Sequence, residues 1–133
     1  RHAQSRVVLT LEKGRVVSIT GGPDAALLEA HLARVGDDGA FRLSHAGWGT
    51  DPRADWGHVG MDSESLYGTV LVALGRNTFD APAPYSGFGG QNQSASHFDI
   101  CCRNTDLYLD GEPIIKGERF VPQDLAQWSG TNA

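Results

Sequence analysis

Long apolar runs, clustered basic residues and spaced cysteines are what this 133-residue sequence has least of. No apolar run approaches the roughly 18–20 residues that a membrane-spanning helix requires. No Lys/Arg cluster exceeds two neighbours and the net charge is −5, which argues against nucleic acid and anionic membrane as partners. Only two cysteines occur, adjacent at Cys101 and Cys102. Neighbours in a strand point to opposite faces, so a conventional disulfide between them is disfavoured. Two reduced thiols of a cytoplasmic protein, one packed inward, are expected; a vicinal redox pair is the other reading. His-Glu-x-x-His, Cys-x-x-Cys and Gly-x-Ser-x-Gly are all missing, and no serine is singled out beside a base. The start, Arg1-His2-Ala3-Gln4-Ser5, is neither an initiator Met nor a signal peptide, so a fragment of a longer chain is expected.

What is present is a globular composition, 40% apolar and 20% charged, in a length that suits one domain with a real core. Arg6–Leu11 and Arg15–Thr20 are β-branched runs around Glu12-Lys13-Gly14, a hairpin pattern. Pro23 suits the first turn of a helix, Leu27, Leu28, His31, Leu32 and Val35 form its apolar stripe, and Gly36 supplies its stop. Asp37-Asp38-Gly39 reads as a turn, Phe41–Trp48 as a strand, and Gly49–Trp56 as a loop. Ser65–Leu74 reads as a buried strand preceded by a short helical piece. From Asn77 to Ser96 the composition shifts to Gly, Pro, Asn, Gln and Ser, a long irregular segment of the kind that carries function. His97–Cys102 is the next strand, then Leu107–Leu109 and Pro113–Lys116 around an Asp110-Gly111-Glu112 turn. Lys116–Val121 closes the domain, and the tail after Pro122 is expected to be poorly ordered. The sum is α+β: a strand-rich mixed sheet with one clear amphipathic helix and one or two short ones.

The residues that can carry chemistry are His45 and the pair His97-Phe98-Asp99. Two histidines and one carboxylate have the composition of a facial triad, which binds non-haem Fe(II) and leaves positions open for substrate and O2. A His-x-Asp pair in a strand points both side chains to one face, and a fold can bring His45 to the same ion from another strand. A His-x-Asp also arises by chance, and on these residues alone both readings stand. Gln91, Asn92 and Ser96, in the amide- and hydroxyl-rich run before His97, either solvate a loop or form an outer shell that orients ligands or holds a polar substrate. The run Gly87-Phe88-Gly89-Gly90 lacks a phosphate-binding context and is expected to let backbone pass close beside the His97 strand. His31 reads as a boundary or core histidine, His58 as a surface one, and His2 as uninvolved.

Ser44-His45-Ala46-Gly47-Trp48-Gly49-Thr50-Asp51-Pro52-Arg53-Ala54, Gly68-Thr69-Val70-Leu71-Val72-Ala73-Leu74-Gly75, Gly89-Gly90-Gln91-Asn92 and Ser96-His97-Phe98-Asp99, in that order, resemble the C-terminal half of the aminopeptidase T-type metallopeptidase superfamily. One branch of it is 2,5-dihydroxypyridine 5,6-dioxygenase, and the resemblance spans about Val7 to Val121. The peptidase branch implies a two-metal site, with Glu where this chain has His45 and a further His near Gly68–Val72, where none stands. Its expected tyrosine has no counterpart at Asn77-Thr78. The dioxygenase branch implies His, His and Asp on one iron, and His45, His97 and Asp99 match it residue by residue. The resemblance also implies an N-terminal domain beyond this chain, whose acid–base groups face the metal across a cleft.

The leading expectation is therefore the C-terminal metal-binding domain, residues 1–133, of an Fe(II) ring-cleaving dioxygenase. Its partners are a dihydroxypyridine-like aromatic, O2 and the missing domain, in a cytoplasmic homo-oligomer. Neutral imidazoles and an ionised carboxylate are required, so metal affinity should fall in acid. A metallo-aminopeptidase with two Zn or Co ions is the competing expectation, and a purely structural or dimerisation domain is the third.

Overall fold

The computed structural model describes residues 2–58, 60–78 and 89–126. Among the described residues eight strands and three α-helices follow one another as β1 (Val7–Glu12), β2 (Arg15–Gly21), α1 (Pro23–Val35), β3 (Leu43–Trp48), α2 (Met61–Ser65), β4 (Val70–Gly75), β5 (His97–Cys102), β6 (Leu107–Leu109), β7 (Glu112–Lys116), β8 (Arg119–Phe120) and α3 (Gln123–Ala126). They form a two-stranded sheet β1-β2 and two three-stranded sheets, β3-β4-β5 and β6-β7-β8. The architecture is α+β, with only α1 longer than two turns. No helix among the described residues is long and apolar enough to cross a membrane. Pro82, Pro84, Gly87, Phe88 and the tail from residue 127 lie outside the described residues.

By its contacts the chain divides into two compact units. The first takes Arg1–His45 and Ala73–Asp99, the second Ala46–Val72 and Ile100–Ala133.

In the first unit β1 and β2 pair antiparallel, with a register shift between Thr10 and Leu11. Their turn is tight: Lys13 and Gly14 both have positive φ, 48° and 73°, as the hairpin turn that matches strand twist requires. The following helix starts without a side-chain cap on Gly22, and Ser5 replaces it from outside. The Asp24 N–H donates to Ser5 Oγ at 2.9 Å, while the Asp24 carboxylate accepts from the Gln4 and Ser5 N–H groups at 2.7 Å each. A carboxylate in the first turn also suits the helix dipole. Gly36, in the left-handed region at φ 80°, ends α1 with its N–H on the Ala33 carbonyl. The buried stripe differs from expectation in one member. Ala25 and Leu32 are buried and Leu28, His31 and Val35 half-buried, whereas Leu27 is 55% exposed. Leu27 stands two positions after Ala25, about 200° around the helix, so it falls on the wet side.

Asp37-Asp38-Gly39 opens a short 3-10 helix, Asp38–Phe41, instead of a simple turn, and β3 accordingly starts at Leu43. The cause is Asp37, whose carboxylate accepts from the Ala40 N–H at 2.8 Å and from the Ala95 N–H at 2.8 Å. The Ala95 amide above all, with the Ser94 hydroxyl and the Ala40 and Gly39 amides, holds this carboxyl below its ordinary pKa. The second of those bonds ties the start of the 3-10 helix to the chain just ahead of His97.

The second unit is organised around Val70, Ile115 and Phe120, with Tyr67, Leu107, Ile114, Leu125 and Ala126 packed against them. The Tyr67 and Phe120 rings meet edge to face at 5.0 Å, an arrangement the ring quadrupoles favour. β6 and β7 join through Asp110 and Gly111, both at positive φ, as the Asp-Gly pair requires. The Arg103 guanidinium grips Glu118 through two bonds of 2.5 and 2.9 Å. Arg103 first, then the Asn104 N–H, holds the Glu118 carboxyl below its ordinary pKa against the opposing pull of burial. Residues 123–126, expected to be loose, form α3, because Leu125 and Ala126 have an apolar cluster to cover. Cys101 and Cys102 are thiols with no disulfide between them, and both are half-buried; burial pushes the Cys102 thiol pKa up.

Candidate metal centre

Strand alternation places His97 and Asp99 on one face of β5, and β3 delivers His45 to the same point. The Nε2 of His97 lies 3.2 Å from Asp99 Oδ1, and the Nε2 of His45 lies 3.8 Å from it. One ligand atom from each of the three side chains lies within 4.8 Å of the others. The two imidazoles stack, with centroids 5.3 Å apart and planes 18° from parallel. Their side chains are 45% and 41% exposed, that of Asp99 27%. The cluster is therefore open on one side and covered behind.

What lies behind decides what it can hold. The Nδ1 of His97 is 2.7 Å from the Arg76 carbonyl oxygen. A carbonyl only accepts, so this nitrogen carries a proton, and in the neutral ring Nε2 presents a lone pair. That lone pair meets Asp99 Oδ1, a buried oxygen with no hydrogen-bond partner. Two electron-rich atoms facing each other at 3.2 Å are unfavourable unless a proton or a metal ion sits between them. An ion with bonds of about 2.1 Å spans pairs up to about 4.2 Å apart, which covers both carboxylate–imidazole separations. Two imidazoles and one carboxylate suit a divalent transition metal. The residues fit the ion that their types suggest.

The support of the site is largely backbone. β4 ends at Gly75, where φ is 99° and an added Cβ would overlap the Ser96 carbonyl. This close passage lets the Arg76 N–H donate to the Ser96 carbonyl at 2.6 Å, which sets the direction of the Arg76 carbonyl. Gly75 is thus the glycine that lets backbone pass beside the His97 strand. Gly90, expected in that role, packs on Asn77, whose amide a Cβ would strike, and Gly87 and Phe88 lie outside the described residues. Asn92 donates to the Gly39 and Gly75 carbonyls at 2.8 and 2.6 Å, and its N–H meets Asn77 Oδ1 at 2.9 Å. It holds together the chain segments that carry the ligands. Ser96 takes part through its backbone, and Gln91 is exposed. A cavity of about 690 Å³ opens beside the rings, lined among others by Ser44, His45, Arg76, Asn77, Gly90 and His97.

The sequence pattern of the NicX family, 2,5-dihydroxypyridine 5,6-dioxygenase, matches residues 1–122. The chain belongs to this family. It is similar to the 2,5-dihydroxypyridine 5,6-dioxygenase of Pseudomonas putida strain KT2440, 32% identical over an alignment covering 92% of this chain and 36% of that protein. It is also similar to the solved structure of 2,5-dihydroxypyridine dioxygenase from the same strain, with a TM-score of 0.79 and 30% identity over 95% of this chain and 37% of that one. The chain thus spans about a third of the length of the relatives it matches.

In this NicX-family chain three residues at the site escaped the reading of the sequence. Ser44, Arg76 and Asn77 surround the backs of the imidazoles. Ser44 carried a signal, a hydroxyl next to a candidate ligand. Arg76 acts at the site through its carbonyl, which every residue has and no sequence advertises. His31, half-buried with its ring 5.0 Å from that of Phe98, has the boundary position expected of it. His58 is 73% exposed and pairs with Asp55 at 3.0 Å.

Proposed function

We propose that this chain is the metal-binding domain of a cytoplasmic non-haem Fe(II) dioxygenase that cleaves a dihydroxypyridine-like aromatic ring. The observation that carries the proposal is the buried, partnerless Asp99 oxygen facing two imidazole nitrogens, in a chain that belongs to a dioxygenase family. Fe(II) held by His45, His97 and Asp99 would supply electron transfer between the hydroxylated ring and O2. The Asp99 carboxylate would offset part of the ion's charge, and the cavity lies beside the two imidazoles that would hold it. That cavity, at about 690 Å³, is of the size that small-ligand sites have. Asn77 and Arg76 on its wall offer polar groups to a hydroxylated ring, and the glycines leave the wall low. Acid–base groups and the remaining wall come from the portion of the relatives that this chain does not span. Two neighbouring cysteines without a disulfide fit a reducing compartment.

Support for one ion over the two of a metallo-aminopeptidase comes from the cluster itself. Among the described residues, His45, His97 and Asp99 are the one group of three ligands close enough to share an ion. The test is O2 consumption. Joined to the portion its relatives carry and loaded anaerobically with Fe(II), the protein should take up O2 with 2,5-dihydroxypyridine. His97→Ala should abolish the uptake. Peptide hydrolysis without O2 uptake would overturn the assignment.

A further inference from the structure

Ser44 sits where one hydroxyl can govern a ring. Its Oγ is 2.8 Å from the Arg76 carbonyl oxygen, 3.3 Å from His45 Nδ1 and 3.4 Å from His97 Nδ1. A serine hydroxyl has one proton and two lone pairs. The Arg76 carbonyl cannot donate, so the Ser44 proton is committed to it. What remains on the Ser44 oxygen is acceptor capacity only. A favourable contact with His45 Nδ1 then requires the proton to be on the ring nitrogen. The same carbonyl accepts the Nδ1 proton of His97 at 2.7 Å, and its two lone pairs are filled by these two donors.

We infer that Ser44 is a positioning residue that locks His45 in the Nδ1-protonated tautomer, as the Arg76 carbonyl locks His97, so that both rings present unprotonated Nε2 toward Asp99 before any ion arrives. The two locks are separable. Removing the Ser44 hydroxyl releases His45 directly but leaves His97 its shorter bond to the carbonyl. Asn77 donates to the Ser44 carbonyl at 3.1 Å, which holds this serine in place from its backbone. The bearing of the lock on ion affinity rests on the metal reading above; the tautomer itself does not. Partners that orient a ligating imidazole typically change metal affinity by about 10–100-fold.

The experiment is nitrogen NMR of histidine-labelled, metal-free protein at a pH where the rings are neutral, with a parallel Co(II) titration followed by its visible absorption. In the wild type both His45 and His97 should show a protonated-type Nδ1 signal and an unprotonated-type Nε2 signal. Ser44→Ala should move His45 toward the Nε2-protonated form and leave His97 unchanged, and Ser44→Thr should restore the wild-type pattern. Co(II) affinity should fall about 10-fold or more in Ser44→Ala and recover in Ser44→Thr. A His45 protonated on Nε2 in the wild type, or a His45 pattern unmoved by Ser44→Ala, would overturn the inference. Failure of the wild type to bind Co(II) would sink the metal reading, while the NMR pattern would still decide the tautomer.

Discussion

Two clusters in this chain are held together by opposite means. Val70, Ile115 and Phe120 in the second unit are nearly or fully buried and pack against apolar neighbours, so their cohesion is chiefly area removed from water. His45, His97 and Asp99 in the first unit are polar and partly exposed, and a backbone carbonyl, a serine and a glycine hold them. The first arrangement is at rest without a ligand. The second leaves a carboxylate oxygen without a hydrogen-bond partner facing two imidazole nitrogens, which is a cost unless something positive binds. Cohesion and function are therefore separable by mutation, and each prediction below presses on that separation.

The largest effect expected is on the ion. His97→Ala should lower affinity for a divalent metal by more than about 100-fold, beyond the loss seen when only an outer partner is removed. It should shift the urea midpoint little, because an imbalance between lone pairs disappears with the ring. Phe120→Ala should do the reverse, costing about 3–5 kcal/mol of stability while folded protein keeps its metal stoichiometry. Denaturant unfolding paired with metal titration checks both. A His97 variant that unfolds, or a Phe120 variant that folds normally but loses its ion, would break the comparison.

Gly75 sharpens it. Alanine there meets both a φ of 99° and the Ser96 carbonyl, so Gly75→Ala should cost more than about 1 kcal/mol. It should also weaken metal binding, since it displaces the carbonyl that orients His97.

The smallest effect expected is electrostatic and confined to the second unit. Glu118 has its folded pKa depressed, chiefly by Arg103. Its contribution to stability is thus fully present above the pKa of the unfolded chain and is lost as pH falls through the folded value. Glu118→Gln should flatten the acid side of the stability–pH curve, by no more than about 1 kcal/mol for a pair with this much solvent contact, and leave the neutral-pH metal affinity unchanged.

Which parts of this were legible in the residues follows the same division. Hairpins announced themselves at Lys13-Gly14 and Asp110-Gly111, where the backbone needs positive φ and the sequence supplies residues that tolerate it. His97–Cys102 was readable to the residue, and so was the stop of α1 at Gly36, because local chemistry alone decides them. Leu27 was misread because a stripe can be drawn through apolar residues in more than one way, and the fold buries Ala25 and leaves Leu27 exposed. The 3-10 helix after Asp37 was missed although its cap, the Asp37 carboxylate on the Ala40 N–H, is local; only the second bond of that carboxylate, from the Ala95 N–H, comes from far along the chain. The convergence of His45, His97 and Asp99 was proposed from residue types and family resemblance. The Arg76 carbonyl behind His97 had no side-chain signature at all, and only the course of the backbone after Gly75 puts it there.

The central claim is that three side chains share one divalent ion. Anaerobic titration of the metal-free chain with Fe(II), read by elemental analysis after removal of free ion, tests it most directly. One equivalent per chain is expected, falling toward zero in His45→Ala, His97→Ala and Asp99→Ala alike while each variant stays folded. Two equivalents, none, or a stoichiometry that survives all three substitutions would contradict it.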